Sequence, residues 1–103
     1  MKPTDLSQLK PRAAGMAARL KLMGHPERLL MLCRMDEAEV SVNELVALTG
    51  LSQSAVSQHL ALLREEGVVA IRAEAQTRFY RLCDPVVHGV IHALCDLCAA
   101  GDD

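Results

Sequence analysis

Gln53, Ser54, Ser57, Gln58 and His59 stand close together at helical spacing with no formal charge among them. Amides, hydroxyls and an imidazole are compact and supply both donors and acceptors. That inventory suits base edges in a DNA major groove, where donor and acceptor patterns must match. A helix needing only solubility would usually carry Glu and Lys there. A second group lies near the C-terminus. His88, His92 and Cys95 recur at i, i+4 and i+7, and Cys95 and Cys98 form a C-x-x-C pair. Imidazoles and thiolates on one helical face are ligands for zinc, and thiolates suit softer ions such as arsenite. Cys33 and Cys83 complete a set of four cysteines. In a reducing compartment these argue for sensing, metal binding or inert burial rather than a disulfide framework.

The elements that must position the polar group are legible around it. Ser41 followed by Glu44 is a capping box. Val42, Leu45, Val46 and Leu48 then give a buried helical face, and Thr49-Gly50 stops the helix. Ser52 caps a second helix with Ala55, Val56, Leu60 and Leu63 inward, and Gly67 ends it. Residues 41–66 therefore read as a helix-turn-helix. Helix, glycine and helix alone are equally compatible with a hairpin inside another all-α domain; the polar face of the second helix favours DNA. Residues 68–82 follow as a β-hairpin wing around a polar turn, Ala73 to Gln76. Val69, Ile71, Phe79 and Leu82 are expected inward. Arg72 and Arg78, with Gln76 and Thr77 beside them, would reach DNA backbone or the minor groove. Packing within the hairpin is the simpler role for the sole Phe and the sole Tyr.

The remaining segments read as helices. Residues 1–10 are expected to be disordered. Pro11 opens a first helix with Ala13, Met16, Ala17, Leu20 and Met23 at helical spacing. A second runs from about Pro26 to Glu37, with Leu29, Leu30, Leu32 and Cys33 inward. Asp84-Pro85 starts the last helix, residues 85–99. Its stripe of Val87, Val90, Ile91, Leu94, Leu97 and Cys98 needs a cover, and a second copy paired through first and last helices is the simplest. The expected architecture is a single mainly α domain over residues 1–103. Its elements follow the order α-α-α-α-β-β-α, a winged helix-turn-helix, as a homodimer.

Composition sets the frame. Half of the 103 residues are apolar, with one Phe, one Tyr and no Trp, so Leu, Val, Ala and Met must make the core. The formal net charge is −2, so bulk electrostatics do not announce nucleic acid. Residues 50–82 carry Arg64, Arg72, Arg78 and Arg81 against Glu65, Glu66 and Glu74, which predicts a moderate salt dependence of binding. No 18-residue apolar run or signal peptide is present, so a cytoplasmic protein without a membrane partner is expected. There is no Gly-rich phosphate loop, catalytic carboxylate pair or Ser-His-Asp pattern, so neither enzymatic activity nor a cofactor is expected.

The runs LMGHPERLLMLC, SVNELVALTGLSQSAVSQHLALLREEGVV and FYRL resemble the ArsR/SmtB winged-helix repressors over nearly all of residues 15–98. A cysteine late in the second helix and another near the end of the last resemble the thiol-sensing HlyU/BigR/SqrR branch. What that resemblance implies is a repressor of a double-stranded DNA operator. A persulfide or other oxidant would cross-link Cys33 to Cys98 and lift repression. The branch's second cysteine would fall on Ala99, one residue and about 100° past Cys98. Cys95, one turn before position 99 and nearly on its face, is the alternative partner. Cys83 is expected to be incidental and His25 structural. The family's thiolate metal site would fall on Ser41 and Asn43, neither a soft ligand. Its terminal-helix zinc motif fails because Asp84 is followed by Pro85 and Val86. A metal- or arsenite-responsive repressor using His88, His92, Cys95 and Cys98 stays open. So does a protein-interaction module of the same fold that does not bind DNA.

Overall fold

The computed structural model describes residues 5–100. A 3-10 turn, Lys10–Arg12, leads into α1, Ala13–Met23. Helix α2 spans Pro26–Glu37, strand β1 Val40–Ser41, helix α3 Val42–Thr49 and helix α4 Gln53–Glu65. Strands β2, Val69–Glu74, and β3, Thr77–Leu82, precede the last helix α5, Pro85–Ala100. Of the segment expected to be disordered, residues 1–4 lie outside the described residues. Residues 6–9 form a turn in which the Lys10 N–H donates to the Leu6 carbonyl at 2.8 Å. Pro11 sits inside the 3-10 turn, so α1 begins two residues later than expected.

The core joins α2, α3, α4, the sheet and α5. Met31, Leu32, Leu45, Val56, Leu60, Leu63 and Val87 are fully buried; each large aliphatic among them contributes roughly 1.5–3 kcal/mol. The phase of α2 differs from the expectation. Leu30 is exposed, and Met31 and Met35 take the core face with Leu32. Residues 29–33 are uniformly apolar, so composition there does not mark a face.

The sheet is antiparallel with order β1-β3-β2. Val40 and Ser41 pair with Tyr80 and Phe79, so the wing is anchored to the segment that caps α3. Strand β2 extends to Glu74, which pairs with Thr77. The expected four-residue turn is thus only Ala75-Gln76, with Ala75 at φ 56°. Phe79 and Leu82 were both expected inward, but an odd separation in a strand places them on opposite faces. Tyr80 is buried instead, opposite Ile71. Phe79 lies on the outer face under the Arg72 guanidinium, 5.0 Å from the ring centroid.

Candidate DNA interface and the cluster between α2 and α5

The two central helices are held by local hydrogen bonds. Ser41 Oγ accepts from the Glu44 N–H at 3.3 Å, and the Glu44 carboxylate accepts from the Ser41 N–H at 3.2 Å. Gly50 ends α3 at φ 75°, a left-handed conformation that costs glycine nothing. Thr49 Oγ1 accepts from the Leu51 N–H at 3.2 Å, and Ser52 Oγ accepts from the Ala55 N–H at 3.1 Å. Helix α4 buries Val56, Leu60 and Leu63. Its opposite side exposes Gln53, Ser54, Ser57 and Gln58. None of these four side chains is hydrogen-bonded to another described residue.

Two expected DNA contacts are placed differently. His59 is half-buried, and its ring packs edge-on against His25 at 4.8 Å. Burial, then His25 and Arg28, depress its pKa, so the imidazole is neutral near pH 7. One residue past Gln58 is about 100° of rotation, which turns His59 off the polar face and towards the start of α2. Arg72 is held within the domain. Its Nε donates to both Glu39 carboxylate oxygens at 3.1 Å, and its Nη1 donates to Glu74 at 2.6 Å. These bonds raise its pKa further and offset its charge. Arg78 makes no ion pair among the described residues. It lines an open cleft of about 370 Å³ together with Gln53, Ser57, Gln76 and Thr77. Ser41 and Asn43 also line it, so the start of α3 belongs to this surface. The sequence marked Ser41 as a helix cap and gave neither residue a place beside the wing, because the cleft closes only when the wing folds beside the helices.

The second group lies between α2 and α5. Cys95, the alternative partner, is the thiol close enough to Cys33 to raise its pKa; the expected partner Cys98 is not among the groups that act on it. One turn along each helix, His88 Nδ1 meets Asp36 Oδ1 at 2.5 Å, and His92 Nε2 lies 3.4 Å from Asp36 Oδ2. The helices therefore run antiparallel at this seam, Asp36 against His88 and His92, Cys33 against Cys95. Cys98 falls a turn beyond Cys33 and is exposed. Burial raises the Cys33 pKa first, followed by Cys95 and the Asp36 and Glu37 carboxylates. Arg34, the basic residue next to Cys33 in the chain, lies 3.5 Å from Glu37. Cys83 sits apart, donating to the Val68 carbonyl at 3.5 Å. His25 supports the packing of α2 on α4. Of the expected metal ligands, His88 and His92 converge within one protomer on Asp36, not on Cys95 and Cys98.

A polar helix face beside a hairpin, anchored through a capped preceding helix, defines a winged helix-turn-helix of the DNA-binding class. Residues 25–70 match the family model described as bacterial regulatory protein, arsR family. The chain belongs to that family of transcriptional regulators, which is not a family of enzymes. It is 44% identical over 92 residues to the HTH-type transcriptional regulator YgaV of Escherichia coli, covering 88% of this chain and 93% of that protein. It is also 44% identical to the transcriptional activator HlyU of Vibrio cholerae, covering 89% and 85%. The crystal structure of the transcriptional repressor BigR from Xylella fastidiosa superposes with a TM-score of 0.85 at 33% identity, covering 97% of this chain and all of that one. No helix among the described residues is long and apolar enough to cross a membrane.

Proposed function

We propose that this chain is a homodimeric, operator-specific repressor whose DNA binding is relieved when Cys33 and Cys95 become cross-linked. The observation that carries the sensing half is the antiparallel seam of α2 and α5, where Asp36 meets His88 and His92 and Cys95 is the thiol that neighbours Cys33. Relatives include both a repressor and an activator by name; repression is the sign proposed here.

Gln53, Ser54, Ser57 and Gln58 read bases, while Arg78 holds phosphate from the wing. Arg72 braces the wing rather than contacting DNA. Pairing of two copies covers α1 and α5, which otherwise leave Leu20 at 54% and Leu97 at 67% exposure. Such a regulator works in the cytoplasm, where the DNA is.

The switch chemistry follows from exposure and pKa. Cys95 is exposed and meets the oxidant first. A persulfide donor transfers its outer sulfur to the Cys95 thiolate and leaves as a thiol. The Cys33 thiolate then attacks the Cys95 persulfide at the sulfur bound to Cβ. A Cys33–Cys95 disulfide forms and hydrosulfide departs. With peroxide, Cys95 becomes a sulfenic acid, and Cys33 displaces its hydroxyl as water. A disulfide needs Cα atoms within about 7 Å, so the link clamps α5 to α2 and shifts the helix that pairs the protomers. Two recognition helices must stay roughly 34 Å apart to meet successive major grooves, so the shift weakens operator binding.

The test is peptide mapping with a gel shift on the protein's own promoter region. Persulfide treatment should yield a Cys33–Cys95 link and release DNA. Cys33→Ser and Cys95→Ser should each bind DNA and ignore the inducer. A link to Cys98 alone, or release by treated Cys33→Ser, overturns this pairing. A protein that binds no promoter DNA in any state returns the fold to the protein-interaction reading.

A further inference from the structure

The Asp36 carboxylate occupies an unusual position. Its side chain is only 12% exposed, yet both of its oxygens face imidazoles, Oδ1 towards His88 and Oδ2 towards His92. The two rings lie 4.3 Å apart between centroids. They come from an H-x-x-x-H spacing, which puts both rings on one face of α5. The carboxylate comes from the facing helix α2. One ligand atom from each residue lies within 4.8 Å of the other two.

We propose that Asp36, His88 and His92 form a divalent-metal site within one protomer, of the zinc class, with solvent completing the coordination. Two imidazoles and one carboxylate form a borderline-soft N2O set that suits zinc. Zinc bonds of roughly 2.0–2.2 Å place ligand atoms of a tetrahedron about 3.3–3.6 Å apart. The His92–Asp36 separation of 3.4 Å already has that value. His88 Nδ1, at 2.5 Å from Asp36, must move outward by about 1 Å. Its side chain is 52% exposed and that of His92 is 61% exposed, so both rings have room to turn. Asp36 is held more tightly and fixes the site on α2. The cysteines contribute no ligand. Cys33 and Cys95 form the next contact along the same helix pair.

That neighbourhood gives the metal a regulatory consequence. An ion bonded to both helices fixes the spacing of α2 and α5 one turn from the thiols. Closing a disulfide imposes its own Cα spacing, roughly 4.4–6.8 Å, on the same two helices. Bound zinc therefore slows cross-linking of Cys33 to Cys95 and keeps the regulator on DNA under oxidant. This second effect rests on the thiol switch proposed above, whereas the metal site does not.

The experiment separates the two. Zinc affinity is measured by competition with a chromophoric chelator, for the full chain and for a variant with all four cysteines changed to Ser. Both should bind one zinc per protomer. Cobalt bound to the cysteine-free variant should give visible d–d bands, and in the full chain no thiolate charge-transfer band should be added. His92→Gln changes a surface side chain and should keep the far-UV circular dichroism of the parent. It should weaken zinc at least as much as loss of an outer-shell partner does, roughly 10–100-fold, and Asp36→Asn should do the same. No zinc binding by a folded cysteine-free variant overturns the site. So does undiminished binding by His92→Gln and Asp36→Asn together, or a thiolate band with cobalt. If zinc binds as described but cross-linking proceeds at the same rate with and without it, the site stands and the coupling to the thiols fails.

Discussion

Arg19 and Asp84 join the first helix to the start of the last, with Arg19 Nε donating to Asp84 Oδ2 at 2.8 Å. The other oxygen, Oδ1, accepts from the Val86 and Val87 N–H groups at 2.9 and 3.0 Å. One buried carboxylate thus caps α5 and fixes α1 against it. Burial pushes its pKa up, but Arg19 and the two backbone bonds more than offset this, and it titrates below the usual carboxylate range.

Acid should therefore remove stability through this group. Its contribution is fully present above the unfolded carboxyl pKa, near 3.9, and is lost as pH falls through the lower folded value. Asp84→Ala should cost about 1–2 kcal/mol at neutral pH, mainly by removing the cap. Urea unfolding of both proteins at neutral and acid pH checks this: the difference between them should shrink in acid.

On DNA, Ser57→Ala or Gln58→Ala should each cost roughly 1–3 kcal/mol at the cognate site and relax sequence choice. Arg78→Ala should weaken all sequences alike and reduce the salt dependence. His59→Ala should lower the melting temperature, because the ring packs on His25, while sequence preference is retained. Binding to randomised operators measures all three.

Much of this interface was legible in the residues, and the reason is local. A capping box, a glycine past a helix end and Asp-Pro before a helix each act within four residues. The two-residue β1 was not legible, because Val40 is defined by pairing with Tyr80 across the chain. The face of α2 was hidden by a run of apolar residues from Leu29 to Cys33, which leaves Met31 and Leu32 buried and Leu30 exposed. Asp36 escaped notice as a partner of His88 because nothing in sequence marks which helix lies opposite. The partner proposed for Cys33 turned on a single-residue register, and only the packed helices bring Cys95 near it.

The raised Cys33 pKa gives a further expectation. The second step of the proposed cross-linking needs the Cys33 thiolate. Its rate should keep rising with pH past about 8.5, where an unperturbed thiol is half ionised. Stopped-flow mixing of Cys95-persulfidated protein with buffers of increasing pH reads this. A rate that levels off at or below the ordinary thiol value would refute it.

Leu94→Glu should break the assembly. It sets a charge with no partner into the apolar stripe of α5. Sedimentation should show monomers, with loss of operator binding. A folded mutant that remains dimeric would mean that the protomers pair elsewhere.

Ala75→Gly should stabilise the wing by about 0.5–1 kcal/mol. Ala75 is the non-glycine residue with positive φ among those described, and an L side chain there costs roughly 1–2 kcal/mol. Part of that gain is returned as the greater freedom of glycine in the unfolded chain. Thermal unfolding measures the net shift.

Helix α2 touches two different worlds. His25, at its leading end, packs against His59 of the helix proposed to read DNA. Cys33, roughly 12 Å of helix rise further on, faces the exposed Cys95. An unbroken α-helix behaves over that length as a strut. It does not absorb a push at one end by stretching. The proposed cross-link and the proposed reading helix are thus fastened to the same short rod, which gives the signal a second, shorter path beside the one through α5.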